Sequence, residues 1–207
     1  MNAPTRGPGA EHEQRRLQIA DAVLAVAAEH GMAAVSQTSV AARAGVSPGR
    51  VQHYFPAKHQ MIEAAFDRGN ALSSARIAAK AGPGGDPRRL LTTVLTELIP
   101  YDDATRAHMR VRQAFTALAL SDEAIARRMR EEYARFHGRV ANLLRRGQDG
   151  GTVHRTLDPA ERAVALVALA EGLAYYVLVD VHPAGAARER VLAEIAALHV
   201  PGPGAEG

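Results

Sequence analysis

The chain has 207 residues, 47% of them hydrophobic, which suits one large or two small globular domains. It contains no cysteine, and this excludes disulfide bonds, thiolate nucleophiles and cysteine-ligated zinc. The formal net charge of +3 is too small to identify a partner. Alanine, leucine and arginine dominate and no long β-type alternation occurs, so the sequence predicts an all-α fold.

The N-terminal segment, residues 1–12, is rich in proline and glycine and lacks an apolar core. It therefore predicts a disordered tail and not a signal peptide. Apolar residues then recur at helical spacing over residues 13–30, and Gly31 provides the stop. The first helix is expected over this range.

Two short helices follow, separated by an abrupt break. Ser36 suits the N-cap of the first, and Gly45 ends it. Ser47 and Pro48 begin the second, because proline fits the first helical turn, and Pro56 ends it. Two helices joined by a short turn containing glycine are typical of a helix-turn-helix.

The second short helix has two chemically different sides. Val51 and Phe55 lie four residues apart and are predicted to pack inward. The opposite side carries hydrogen-bonding side chains, and no acidic residue occurs between Glu29 and Glu63. A solvated surface helix would explain any one of these features, but together they favour DNA binding. The predicted DNA contacts are Ser36, Thr38, Ser47, Pro48, Gly49, Arg50, Gln52, His53, Tyr54 and Lys58.

These contacts have distinct expected roles. Arg50 has the donor geometry for guanine, and Gln52 can pair with adenine. Gly49 allows close approach of the helix backbone, whereas the residues at helix starts and flanks suit phosphates. His53 can add a phosphate contact when it is charged, although a neutral, exposed histidine is the default expectation.

The sequence beyond residue 58 remains helical in pattern. Six helices are predicted, at 59–80, 90–98, 102–120, 121–146, 160–180 and 184–198, giving nine in all. The glycine-rich stretch 81–87 predicts a connection between helices, because no strand precedes it and no GK[ST] follows it. Residues 200–207 predict a second disordered tail.

One segment, residues 163–179, is almost wholly apolar and requires burial in protein or in lipid. Its length is marginal against the ~20 residues of a membrane span, and Glu171 lies at its centre. Because a carboxylate in mid-membrane is costly, burial in protein is favoured. The alternative is a helical protein without DNA function that associates with a membrane through this segment.

Residues 35–58, VSQTSVAARAGVSPGRVQHYFPAK, resemble the DNA-binding domain of the TetR family of bacterial transcriptional regulators. The resemblance rests on the Ser36 cap, the Ala-Gly-Val-Ser turn at 44–47, the Tyr-Phe pair at 54–55 and Lys58. The chain departs from the pattern at Gln52, where many members carry a tyrosine. The region 98–133 and the later AEGLA are most similar to the choline-responsive BetI-like branch.

The resemblance implies a DNA-binding domain at 13–58 and a ligand-binding and dimerisation domain at 59–199. It also implies a cytoplasmic homodimeric repressor that pairs through 160–180 and 184–198. Two recognition helices roughly 34–36 Å apart would then read a palindromic operator. A small-molecule effector would release the DNA by favouring another spacing.

The effector contacts are expected where polar anchors meet an apolar lining, although core and dimer packing explain the same residues. The candidates are Met109, Arg112, Phe115, Tyr133, Glu171 and Tyr175. The sequence has no HExxH, Walker, GxSxG or dinucleotide-binding motif. Neither enzymatic activity nor a metal or cofactor is therefore expected.

Overall fold

A computed structural model describes residues 8–82 and 86–200 of the chain. This part of the protein contains nine α-helices, one short 3-10 turn at Met32–Ala34, and no β-strand. The predicted all-α class is therefore confirmed. The helices are α1 Pro8–His30, α2 Gln37–Ala44, α3 Pro48–Tyr54, α4 Lys58–Ala81, α5 Pro87–Thr96, α6 Asp103–Ala119, α7 Glu123–Asp149, α8 Pro159–Leu178 and α9 Ala184–Ala196.

The ends of the chain differ from the predicted tails. Helix α1 begins at Pro8, so residues 8–12 are helical and their assignment to a disordered tail is wrong. Proline suits a first helical turn, where Glu11 also faces the positive end of the helix dipole. Val200, the first residue of the predicted C-terminal tail, donates its amide to the carbonyl oxygen of Thr152 at 3.1 Å. Residues 1–7 and 201–207 of the two predicted tails lie outside the described residues, as do residues 83–85 of the glycine-rich connection.

The chain divides into two compact units that do not follow the predicted boundary after residue 58. Of the described residues, 8–72 and 107–122 belong to unit 1, and 73–82, 86–106 and 123–200 belong to unit 2. Helices α4 and α6 each contribute residues to both units. The functional division proposed from the sequence stays a prediction.

Unit 1 is built on α1, which packs against α2, while α2 packs against α3. Helix α6 joins this unit through Phe115, whose ring stacks on Phe66 of α4 at a centroid distance of 4.5 Å. Arg110 of α6 donates to the carbonyl oxygens of Ala27 (2.9 Å) and Ala28 (2.8 Å). These carbonyls lie in the last turn of α1, where the helix itself supplies no donors.

A close approach between α4 and α6 occurs at Gly69. A Cβ atom at this position would lie 2.4 Å from Cδ2 of His108. The His108 side chain is buried, and its Nε2 lies 3.0 Å from Oδ1 of Asn70. Glycine is therefore required here by packing, not by backbone conformation.

In unit 2, helix α5 packs against α7, α8 and α9. A buried carboxylate, Glu97, lies at the end of α5 and is 4% exposed. It accepts hydrogen bonds from Arg76 and from Nζ of Lys80 (2.8 Å), both on α4. The bond to Glu97 raises the pKa of Lys80. Since an unpaired buried charge is costly, these two cations stabilise the folded position of Glu97.

Helix α8 has a buried side and an exposed apolar side. Ala163, Leu166 and Val177 are among the residues of α8 that are buried within unit 2. The exposed side carries Val164, Ala168, Gly172 and Tyr175, and Val179 follows directly after the helix. Among the described residues, no helix is both long enough and apolar enough to cross a membrane.

The contact at Gly69 predicts that Gly69→Ala destabilises the protein. We expect the free energy of unfolding to fall by about 1–3 kcal/mol, because His108 must move from its buried site. Gly138→Ala is the matched control, because open space surrounds Gly138 on α7. That change should instead stabilise the helix by about 0.5–1 kcal/mol. Denaturant titration of both variants measures the difference, and equal effects would contradict the packing argument.

Candidate nucleic-acid interface

Side-chain caps and one left-handed residue define the turn between α2 and α3. The Ser36 hydroxyl accepts from the amide of Ser39 (3.1 Å), as expected for an N-cap. Gly45 ends α2 with φ +66°, a left-handed backbone conformation that is unfavourable for residues with a Cβ atom. The Ser47 hydroxyl accepts from the amide of Arg50 at 3.3 Å and so begins α3. The predicted turn is thus confirmed in its details.

The inner side of α3 lies in the core of unit 1. Val51 and Phe55 are 0% and 1% exposed, and Val40 of α2 is also fully buried. The guanidinium of Arg16 on α1 lies 4.4 Å from the centroid of the Phe55 ring. Arg16 also donates to the carbonyl oxygen of Tyr54 at 3.2 Å. The end of α3 is therefore held by α1 through both apolar and polar contacts.

Two glutamine side chains satisfy free carbonyl groups of this motif, and no sequence pattern pointed to them. Gln18 of α1 donates to the carbonyl oxygen of Ala44, at the end of α2, at 2.8 Å. Gln37 of α2 donates to the carbonyl oxygen of Phe55 at 3.3 Å. These partners are 26 and 18 residues apart in the chain, so no local pattern predicts them.

The outer side presents the residues proposed to contact DNA. Of the ten, all but Tyr54 are exposed, and Tyr54 is half-buried. Five of them lie on the exposed surface of α3 and are consecutive apart from the buried Val51, namely Pro48, Gly49, Arg50, Gln52 and His53. No atom lies within 4 Å of a Cβ placed at Gly49, so the backbone there is open to a partner.

A groove of about 450 Å³ continues this surface from α3 onto the first turns of α1. Arg50, His53 and Tyr54 line it together with Arg15 and His12, two residues that sequence reasoning did not assign. The His12 ring lies 4.8 Å from that of Tyr54.

No acidic residue is close to the motif in the sequence, but acidic side chains from α1 lie close to it in the folded chain. Glu11 of α1 lines the same groove as Arg50. Arg43, which lies between Glu29 and Glu63 in the sequence, forms an ion pair with Glu29 at 2.8 Å. The positive charge available to a polyanion is therefore concentrated on α3, Arg15 and Lys58.

Two family descriptions match the chain. "Bacterial regulatory proteins, tetR family" matches residues 19–65, which contain α2 and α3. "BetI-type transcriptional repressor, C-terminal" matches residues 87–200, more than half of the chain. The chain belongs to the TetR family of transcriptional regulators. The helix-turn-helix built by α2 and α3 is thus the DNA-binding element of a TetR-family protein, and the later helices are of the BetI type.

Similar proteins agree with this assignment. The HTH-type transcriptional regulator PksA of Bacillus subtilis (strain 168) is 29% identical over 174 residues, 82% of each chain. The HTH-type transcriptional regulator BetI of Burkholderia cenocepacia is 31% identical over 166 residues, 78% of this chain and 80% of its own.

Solved structures share the fold. A transcriptional regulator from Rhodococcus sp. Rha1 superposes with a TM-score of 0.74 at 28% identity, covering 90% of this chain and 99% of its own. A regulator from Saccharomonospora viridis, solved in complex with choline, has a TM-score of 0.79 at 24% identity. It covers 91% of this chain and 99% of its own.

The candidate effector contacts fall in both units. In unit 1, Met109 and Phe115 are buried core residues, 2% and 0% exposed, as the packing alternative predicts. Arg112 is also buried, with its guanidinium 6.0 Å from the centroid of the Phe66 ring.

In unit 2, the structure brings two candidates together. The Tyr133 hydroxyl on α7 donates to Oε2 of Glu171 on α8 at 2.6 Å. The Tyr175 ring is 51% exposed on α8 and lies 6.3 Å from that of Tyr176. A carboxylate beside an aromatic ring is an arrangement that can hold a cation.

Proposed function

We propose that this TetR-family regulator is a dimeric repressor that binds a palindromic operator and is released by a small-molecule effector. The observation that carries the proposal is the geometry of α3. Val51 of this helix and Phe55, which directly follows it, are buried within unit 1, whereas Arg50, Gln52 and His53 are exposed. An exposed face of this kind can enter a major groove, where long donors reach base edges.

The proposed contacts divide into two kinds. Arg50 and Gln52 are assigned to base edges, because their paired donor and acceptor geometry discriminates between bases. Ser36, Thr38, Tyr54 and Lys58 are assigned to phosphates at the flanks of the motif. Arg15 joins the second group, since it lines the groove that extends from α3 onto α1.

A dimer is supported by the exposed side of α8. Val164, Tyr175, Tyr176 and Val179 are each about half exposed in the single chain, between 48% and 51%. Ala168 and Gly172 lie between them on the same stripe and present little bulk. A contiguous apolar stripe of this kind marks an interaction surface. A second copy that pairs through α8 and α9 would cover it and give operator binding two-fold symmetry.

The proposed effector is a small organic cation held by Glu171 and Tyr133. The carboxylate supplies the opposite charge, and the tyrosine ring supplies a cation–π surface. The BetI-type match of residues 87–200 supports this class of ligand, as does the choline in the Saccharomonospora viridis complex. Choline is therefore the first compound to test.

Selection of bound DNA from a random pool tests the operator proposal. Wild-type protein at near-physiological salt should enrich a palindrome, because two α3 helices related by a two-fold axis read equivalent half-sites. Arg50→Ala should cost about 1–3 kcal/mol and relax one position of each half-site. Arg155→Ala, at an exposed position of unit 2, is the control and should leave the enriched sequence unchanged.

The same assay separates base from phosphate contacts. Lys58→Ala should weaken all sequences alike and reduce the salt slope of binding by about 1. A sequence-selective loss would contradict its role as a phosphate contact. A pool that remains random with wild-type protein would contradict operator binding itself.

The dimer proposal predicts that Ala168→Glu yields a monomer. A charge placed in the middle of the apolar stripe would be buried unpaired in both copies, which is strongly unfavourable. Ala134→Glu, at an exposed position of α7, is the matched control and should remain a dimer. Sedimentation equilibrium distinguishes the two masses. If both variants keep the mass of wild type, α8 does not form the interface.

The effector proposal predicts that choline releases wild-type protein from its operator. Glu171→Gln should raise the half-effective concentration by about tenfold or more, because losing a charged partner costs about 1.5–3 kcal/mol. Its operator affinity without choline should be unchanged. Glu161→Gln, in the first turn of α8, is the control. Fluorescence anisotropy of labelled operator measures both quantities, and an equal response in the two variants would contradict the assignment of Glu171.

A further inference from the structure

Two histidine rings contact Tyr54 in the groove that extends from α3 onto α1. The centroid of the His12 ring, on α1, lies 4.8 Å from that of the Tyr54 ring. The centroid of the His53 ring, on α3, lies 5.4 Å from it, with the two ring planes at 82°. Both histidines are exposed and line the groove. The fold therefore brings together two imidazoles that are far apart in the sequence.

Tyr54, which both imidazoles contact, is held in place by the packing of α3 on α1. Arg16 of α1 donates to the Tyr54 carbonyl oxygen at 3.2 Å. The same guanidinium lies 4.4 Å from the centroid of the buried Phe55 ring, so its charge is directed at the end of α3. The surroundings of the two histidines are therefore built on the core of unit 1 and not on a loop.

The charge of the groove depends on these two imidazoles. Its other charged residues are Arg15, Arg50 and Glu11, which give a formal charge of +1 when both histidines are neutral. The same charge becomes +3 when both are protonated. Histidine is the side chain that ordinarily changes its charge between about pH 5 and 8. The positive charge that the groove offers to a phosphate therefore triples across this range.

We propose that His12 and His53 make DNA binding by this protein dependent on pH. A protonated imidazole donates a charge-assisted hydrogen bond to a phosphate oxygen, and such bonds are stronger than those of a neutral ring. When a backbone phosphate of DNA enters the groove, the imidazoles take up protons from the solvent, so affinity rises as the pH falls. The inference rests on the proposed DNA binding. It adds a dependence that Arg15 and Arg50 do not supply, because arginine stays charged throughout this range.

Fluorescence anisotropy of labelled duplex DNA at about pH 6 and about pH 8, at one ionic strength, tests the proposal on the full chain. The probe is the duplex that wild-type protein enriches, or the unselected random pool if none is enriched, since phosphate contacts carry no sequence information. Wild-type protein should bind about twentyfold more tightly at the lower pH. This ratio should fall to about fivefold in H12Q and in H53Q, and almost vanish in H12Q/H53Q, because each substitution removes one titrating contact.

Two other histidines provide the matched controls. His30 is exposed at the opposite end of α1, about 27 Å from His12 along the helix axis at 1.5 Å per residue. His59 is exposed in the first turn of α4, next to Lys58 but outside the groove. H30Q and H59Q should each keep the ratio of wild type. Loss of the pH dependence in H59Q, or its persistence in H12Q/H53Q, would overturn the proposal.

A variant with permanent charge separates the effect of charge from that of packing. H12R/H53R remains positive at both positions over the whole range, so at the higher pH it should bind as tightly as wild type does at the lower pH. If it binds as weakly as H12Q/H53Q at both pH values, positive charge at these positions does not meet DNA and the proposal is wrong.

Calorimetric titration in two buffers with different ionisation enthalpies counts the protons directly. At about pH 7, wild type should take up about one proton per subunit on binding DNA, and H12Q/H53Q almost none. Equal uptake in the two proteins would contradict the proposal. Failure of this inference is distinct from failure of the proposed function. Equal affinity of wild type for DNA at both pH values overturns the inference alone, whereas absence of binding to any DNA overturns both.

Discussion

The orientation of α3 is the constraint on which the DNA-binding surface depends. An isolated helix of seven residues is not stable in water, because it forms too few hydrogen bonds to offset its nucleation cost. Its position is therefore set by tertiary contacts. Val51 and Phe55 are buried in unit 1, Arg16 binds the Tyr54 carbonyl, and the left-handed Gly45 sets the direction in which α3 begins. Burial of one face of α3 also determines which side chains are exposed on the opposite face, because the helical repeat sets the direction of every side chain.

Local chemistry explains which parts of the fold were predictable. Ser36, Gly45 and Pro48 act through neighbouring backbone groups, so a short stretch of sequence contains all the information about the turn. The contacts of Gln18 and Arg110 are different, because their partners are 26 and 83 residues away. No local signal in the sequence shows that most of α6 belongs to unit 1, so the compact units could not be predicted from neighbouring residues alone.

The charges around the candidate surface were also only partly predictable from the sequence. The sequence correctly identified a stretch without acids, and it placed the outward side chains of α3 on one face. It did not show that Glu11 and Arg15 of α1 line the same groove as Arg50, because α1 and α3 meet only in the folded chain. Because residues 8–12 were assigned to a disordered tail, Glu11 and His12 were not expected to have a fixed position, but these residues form the first turns of α1.

Helix α8 shows why an apolar segment does not need a membrane to explain it. Its buried residues, such as Ala163 and Val177, face unit 2, whereas Val164 and Tyr176 are exposed on the other side. The first set is accounted for by the fold of one chain. The second set would stay in contact with water in a monomer, at a cost that grows with the exposed apolar area. Apolar residues on both sides of α8 thus fit the proposed dimer, in which a second copy would cover the side that its own chain leaves exposed.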